Sequence, residues 1–183
     1  MIAVVLAART SLADHYLVPS GSMEPTVRVG DHNLVNKLAY GVRLPLMDRY
    51  ALEYASPARG DVVVLTSPED GRVLLKRVVA VPEDMVRVSG GTLTINGARV
   101  AVEERGGTPY ESLGANPHPL DLEMGGGPDF GPVRVPPRHF LVLGDHRGDS
   151  KDGRYFGFVD ADAILGRSLG VCVSHGSLTW RDL

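Results

Sequence analysis

The sequence predicts a mainly β protein made of antiparallel sheets with very little helix, and three observations carry that expectation. The apolar runs Val62 to Leu65, Val73 to Val81 and Phe140 to Leu143 have the length of strands and are bounded by turn residues. Asn96-Gly97 separates two short alternating segments, the strongest local hairpin signal in the chain. The 22 Gly and 13 Pro recur at short intervals, which leaves little uninterrupted chain for helices.

Taken in order, Ile2 to Ala8 is apolar but much shorter than the roughly 20 residues that cross a bilayer. It also lacks the basic start and small-residue cleavage site of a signal peptide. It reads as a first strand or short helix, or as the last turns of a membrane anchor. Val27 to Lys37 reads as two short strands about a turn at Gly30-Asp31. Leu38 to Ala55 carries Tyr40, Leu44, Leu46, Met47, Tyr50, Leu52 and Tyr54, so it is either a core hairpin or an exposed apolar surface for a membrane or partner. Met85 to Val102 predicts strands at Val86 to Val88, Thr92 to Ile95 and Arg99 to Val102. From Glu103 to Arg138 Gly and Pro are dense and periodicity fades, which predicts a long surface excursion or a reduced second lobe. After Phe140 to Leu143 comes the most charged stretch, Gly144 to Arg154; Asp160 to Leu165 predicts a helical turn and Ser168 to Ser174 a last core strand.

A chain of 183 residues with 43% hydrophobic and 22% charged residues can bury a sizeable core. The formal charge of −3 and scattered Lys and Arg give no basic stripe, so nucleic acid is not an expected partner. The single cysteine, Cys172, lies in an apolar strand and reads as a structural thiol. No pair of His shows helical metal-ligand spacing, and the Gly-rich segment Met124 to Pro132 lacks the Lys-Ser/Thr of a phosphate loop. Neither a metal nor a nucleotide nor another cofactor is expected.

Two stretches carry chemistry. In Leu17 to Asp31 the hydroxyls of Ser20 and Ser22 flank Gly21, and Pro19 and Pro25 fence the segment against helix or central strand. A serine hydroxyl is a weak nucleophile until a base takes its proton and donors receive the oxyanion. The second stretch is the strand Val73 to Val81, whose period of two puts Leu74, Lys76, Val78 and Ala80 on one face and Leu75, Arg77 and Val79 on the other. Both faces are apolar apart from two cations. A lysine among Leu and Val neighbours is a candidate for a depressed pKa.

Together and in order, several segments resemble the type I signal peptidases. They are Pro19-Ser-Gly-Ser-Met-Glu-Pro-Thr26 with Gly30-Asp31, Asn36-Lys-Leu-Ala-Tyr-Gly41, Arg59-Gly-Asp-Val-Val-Val64, Lys76-Arg-Val-Val-Ala-Val-Pro-Glu-Asp84, and Gly144-Asp-His-Arg-Gly-Asp-Ser-Lys-Asp-Gly-Arg154 with Gly157-Phe-Val159. The resemblance implies the antiparallel Ser/Lys protease fold of signal peptidases and LexA-like proteins. It implies Ser22 as nucleophile and Lys76 as general base, with the oxyanion held by the Ser22 N–H and the Ser20 hydroxyl. A base working near neutrality needs its pKa brought from about 10.4 to near 7, about 4 kcal/mol against the charged form. By the same resemblance Ser150 would orient the Lys76 amine, Asp152 and Arg154 would pair to hold the loop, and Asp145 would pair with Arg77. Val18, Met23, Val27, Leu74 and Leu75 would form shallow pockets for small side chains such as Ala before the scissile bond. Implied too are signal peptides of preproteins as partners, a lipid surface, and the outer face of a bacterial cytoplasmic membrane as location.

On this reading residues 1–16 are a membrane-proximal remnant, 17–102 and 139–183 the catalytic β domain, and 103–138 the excursion. The sequence departs from the family pattern at Ala80 and Glu83, where Gly is usual, at His146, where Asn is usual, and at Gly153, where Ser is usual. Three other readings stand beside it. A self-cleaving LexA-type repressor would need a DNA-binding domain and a cleavage site in the 21 residues before Ser22. A conjugative-pilin processing peptidase shares the dyad, and a non-catalytic binding module could keep the fold.

Overall fold

The computed structural model describes residues 13–43, 49–114, 117–174 and 176–183. The chain opens with β1 (Ala13–Leu17), β2 (His32–Asn36), the hairpin β3 (Gly41–Arg43) and β4 (Tyr50–Glu53), then β5 (Val62–Thr66) and β6 (Val73–Ala80). The middle holds β7 (Met85–Ser89), β8 (Thr92–Ile95), β9 (Ala98–Arg99), β10 (Val102–Arg105), β11 (Thr108–Glu111), β12 (His118–Pro119) and β13 (Phe130–Arg134). It closes with β14 (His139–Leu143), the one-turn helix α1 (Gly153–Phe156), β15 (Val159–Asp160), β16 (Ile164–Ser174) and β17 (Ser177–Asp182). The strand pairs are antiparallel throughout, as the sequence predicts.

The main sheet runs β1-β2-β16-β5-β6-β14-β15, with β17 paired to β16. Its centre follows from composition: β5, Val-Val-Val-Leu-Thr, has both faces buried, as a β-branched run between two partner strands requires. Val63 and Leu65 join Val78, Phe140 and Ile164 in one core. Val79 and Ala80 of β6 join Val86, Leu93 and Leu141 in a second. Val18, Met23, Val27, Val62 and Val171 form a third, beneath the Ser-Gly-Ser segment. β14 pairs with β6 only over Arg77 to Ala80, so on that side no described strand covers Val73 to Lys76.

Several expectations need correcting. Val27 to Lys37 gives one strand, β2, because residues 24–31 are held in turns by Val27 N–H to Met23 O and Gly30 N–H to Val18 O. Residues 13–16 of the expected membrane-proximal segment belong to β1 of the main sheet; residues 1–12 lie outside the described structure. Segment 38–55 divides: Tyr40 is core and Tyr50 packs against it, while Leu52 and Tyr54 of the same hairpin face outward at 60% and 58% exposure. Leu44, Leu46 and Met47 are outside the described residues. After the last predicted strand comes β17, which carries exposed Leu178 and Trp180.

Segment 103–138, expected as a surface excursion or a reduced second lobe, carries strands and buried side chains. Strands β10, β11 and β12 form a sheet of their own, and β13 joins β7, β8 and β9 in another. The segment sends Leu113, Leu120, Val135, Glu111 and His118 inside. Glu111 accepts from Arg147 Nη2 at 2.7 Å, with neither side chain exposed to solvent. Arg147 also donates to the Gly91 carbonyl and, through Nε, to Gly144 O at 3.0 Å. One arginine thus fastens three segments from different parts of the chain. Removing one partner of a buried pair strands the other charge. Arg147→Leu is therefore expected to lower unfolding free energy by about 3 kcal/mol or more, whereas the double replacement with Glu111→Leu costs much less; urea unfolding of both variants checks this.

Candidate active site

Ser22 is positioned by its neighbours. Gly21–Met23 make a single 3-10 turn closed by Glu24 N–H to Gly21 O at 2.9 Å. Met23 and Val27, 1% and 0% exposed, anchor the turn in the third core and leave Ser22 at its rim. Val27 is thereby corrected as a cleft residue, because the turn after Pro25 carries it wholly inside. Ser20 Oγ lies 3.5 Å from Ser22 Oγ.

Lys76 comes from the part of β6 that β14 does not cover, and is 2% exposed. Its Nζ stands 2.5 Å from Ser22 Oγ. Burial pulls its pKa from the ordinary 10.5 to about 8, against the opposing pull of Asp152 and Asp145. At that value an appreciable fraction of the amine is neutral near pH 7.5, and a neutral amine next to a hydroxyl can take its proton.

The carboxylates near Lys76 are not free. Asp145 accepts from Arg77 Nε at 2.9 Å and Nη2 at 2.8 Å, and from Thr26 Oγ1 at 2.6 Å. Burial alone would raise the Asp145 pKa, but Arg77 and Thr26 outweigh it and hold the carboxyl below its usual range. Asp152 accepts from Arg154 at 2.8 Å through both Nε and Nη2, caps α1, and accepts from Gly144 N–H at 2.9 Å. Gly144 in turn has no room for a side chain, since a Cβ there would fall 2.3 Å from the Ser22 carbonyl oxygen and 2.2 Å from Ser150 Oγ.

Ser150 departs from expectation. Its hydroxyl is buried over Gly144 and makes no hydrogen bond, so it does not hold the Lys76 amine in this arrangement. Sequence reasoning also missed a second layer of charge. His118 Nε2 lies 3.4 Å from Glu111 Oε2 and 3.8 Å from Asp145 Oδ1, linking the Arg77–Asp145 pair to the Glu111–Arg147 pair. Thr26 stands inside the quoted Pro25-Thr26 motif and was open to notice. Glu111 and His118 sit in Gly/Pro-rich sequence that carries no such signal.

Ser22 and Lys76 open onto a cleft of about 440 Å³ lined by Val18, Met23, Leu74 and Leu75. The main sheet curls so that β1 and β6, four places apart in its order, supply facing walls, with Asn33 of β2 and Val64 of β5 between them. An apolar groove beside an uncovered strand edge suits an extended peptide. Among the described residues no group of three or more His, Cys, Asp or Glu side chains is arranged to hold a metal.

A sequence model of the family described as signal peptidase, peptidase S26, matches residues 1–172. The chain belongs to this family. It is 40% identical over 195 residues to a signal peptidase I of Pseudomonas fluorescens, covering 93% of this chain and 68% of that one. It is 36% identical to the Pseudomonas aeruginosa signal peptidase I over the same shares, and 34% identical to one from Bacillus licheniformis over 92% of this chain and 82% of the relative. The crystal structure of an Enterococcus faecalis signal peptidase I matches at 27% identity and a TM-score of 0.43, covering 63% of this chain and 98% of that one. The chain thus spans about two-thirds of the length of the Pseudomonas relatives.

The departures from the signal peptidase pattern have definite places. Glu83 keeps a left-handed backbone, φ 72°, the conformation that glycine adopts most readily. Ala80 is in the core, and the His146 ring faces Asp121 at 3.9 Å. Gly153 opens α1 where a Cβ would come within 2.7 Å of Leu141 Cδ1 and 2.9 Å of Val142 O, so the usual serine would require a shift there.

The Lys76 shift has a measurable consequence. Its pKa is lower folded than unfolded, so between pH 8 and 10.5 the unfolded chain binds more protons and stability rises with pH; below 8 the penalty is complete. Lys76→Met is therefore expected to stabilise the protein at pH 6.5 by up to about 3 kcal/mol, with the gain over wild type shrinking as pH climbs toward 10.5. Denaturant unfolding at pH 6.5 and 10 checks both parts.

Proposed function

We propose that this signal peptidase family member is a serine endopeptidase that removes signal peptides from preproteins after small residues, with Ser22 as nucleophile and Lys76 as general base. The observation that carries the reading is the 2.5 Å approach of a buried, weakened lysine to a serine at the rim of an apolar cleft. The peptide lies extended along the uncovered edge of β6. Ser22 Oγ gives its proton to neutral Lys76 and attacks the scissile carbonyl; the oxyanion is held by the Ser22 N–H and the Ser20 hydroxyl. Lys76 then protonates the departing amine, leaving the acyl ester on Ser22. Neutral again, it takes a proton from water, whose oxygen attacks the ester carbonyl, and returns that proton to Ser22 Oγ as the ester bond breaks. Asp145, Arg77, Asp152 and Arg154 do not touch the reacting atoms; they fix Gly144 and the Thr26 segment around them.

Residues 17–102 and 139–183 form the catalytic body in this proposal, and 103–138 brace it through Glu111 and His118. We also infer that the body works against a membrane. No described helix is long and apolar enough to cross one, and the reading rests on the family and on the outward Leu52, Tyr54, Leu178 and Trp180.

Ser22→Ala and Lys76→Ala are each expected to reduce cleavage of a peptide spanning an Ala-x-Ala junction by at least about 1,000-fold, with circular dichroism unchanged. For wild type, kcat/KM is expected to rise with pH through an apparent pKa near 8. Full activity in Lys76→Ala would refute the dyad. Flotation with vesicles containing anionic phospholipid is expected to carry the protein upward, and Leu52→Ser with Tyr54→Ser to weaken it; no flotation by the wild type would refute the membrane reading.

A further inference from the structure

The polar side chains that line the cleft outside the proposed chemistry are Tyr16, Arg72 and, on its floor, Asn33. Asn33 is 0% exposed and sits in β2 opposite Tyr16 of β1 on one side and Val171 of β16 on the other. Its Oδ1 accepts from the Ser168 hydroxyl, which fixes the amide plane. Its Nδ2 is buried and hydrogen-bonds nothing. Around it the cleft is lined by Val18, Val64 and Leu75, which offer no polar side-chain atom, and by its strand partner Tyr16, which carries a hydroxyl. A buried donor without a partner costs stability, and a hydrophobic residue would fit this floor without that cost.

We propose that Asn33 is a specificity-determining residue that pairs with a small hydroxyl side chain, Ser or Thr, at the third residue before the scissile bond. The inference rests on the peptidase reading above for the direction in which the substrate lies. A peptide extended along Val73 to Lys76 turns alternate side chains to the floor, so the residue preceding the cut and the one two positions earlier face the same way, about 7 Å apart. The first of these falls beside Ser22 and Met23. The second falls farther along, toward the level of Tyr16, the β1 residue paired with Asn33. Ser and Thr fit because a hydroxyl accepts from the amide N–H and is small enough for the groove. Their apolar counterparts would leave that N–H unpaired in the complex, whereas a wholly apolar floor discriminates only weakly against an added hydroxyl.

Four peptides identical except for Ala, Ser, Val or Thr at that position test the proposal. Thr against Val is the sharper comparison, since the two differ by a hydroxyl for a methyl. Kd is measured on Ser22→Ala protein and kcat/KM on wild type. Thr is expected to show a Kd about tenfold lower and a kcat/KM about tenfold higher than Val, and Ser likewise against Ala, and Asn33→Leu is expected to abolish or reverse the preference. Equal or aliphatic-favouring values with the Asn33 protein overturn it, as does a preference that survives in folded Asn33→Leu. The binding ratios read Asn33 even if turnover fails. Absent turnover by wild type, or turnover surviving Ser22→Ala, would refute the catalytic reading instead. Because the preference is first read on the unmutated floor, poor folding of Asn33→Leu leaves the test decisive.

Discussion

The structure depends on keeping one lysine in a dry place while four charges of both signs surround it. Asp145 and Asp152 would each stabilise the Lys76 ammonium and defeat its use as a base. Arg77 and Arg154 lie on those same carboxylates, Arg154 opposes part of their pull on the lysine, and desolvation outweighs what remains. Buried ion pairs add little net stability. Here they place rigid, hydrogen-bonded carboxylates beside the site while the lysine's pKa still falls to about 8. The same carboxylates do mechanical duty: Asp145 holds Thr26, four residues beyond Ser22, and Asp152 holds Gly144 beneath the Ser22 carbonyl.

This arrangement couples distant parts of the chain. Ser22 comes from a turn between β1 and β2, Lys76 from the middle of β6, and the pairs behind them from the loop between β14 and α1. The Gly/Pro-rich middle of the sequence reaches the same place through Glu111 and His118. The site is therefore a property of the curled sheet and of the buried arginines that cross it. Arg147, with no exposed surface, marks where three segments must arrive together.

What could be read from sequence was whatever is local. The antiparallel class, β5, β6 and the Asn96-Gly97 hairpin announce themselves by apolar runs and turn chemistry. Ser22 and Lys76 stand out because a hydroxyl between prolines and a cation on an apolar strand are each chemically odd, and Arg77 with Asp145 follows from the family pattern. The misses are all matters of long-range packing. Nothing in Thr-Pro-Tyr-Glu foretells that Glu111 is sealed against Arg147. The direction of the Ser150 hydroxyl depends on how closely Gly144 approaches it. Val27 looks like a pocket residue until the turn after Pro25 takes it inside, and Asn33 looks like an outward polar position in β2, yet it shares the buried face with Val35.

Among the described residues no second strand pairs with Val73 to Lys76, so the sheet has an open edge beside Ser22. Whatever fills that gap must lend its own backbone, straightened over several residues, before any side chain is read. A compact domain cannot do so without first giving up its own hydrogen bonds. On the proposed reading, the protein needs no separate device to spare folded proteins around it: the cost of local unfolding protects them, and only chain that is already loose can take the empty place.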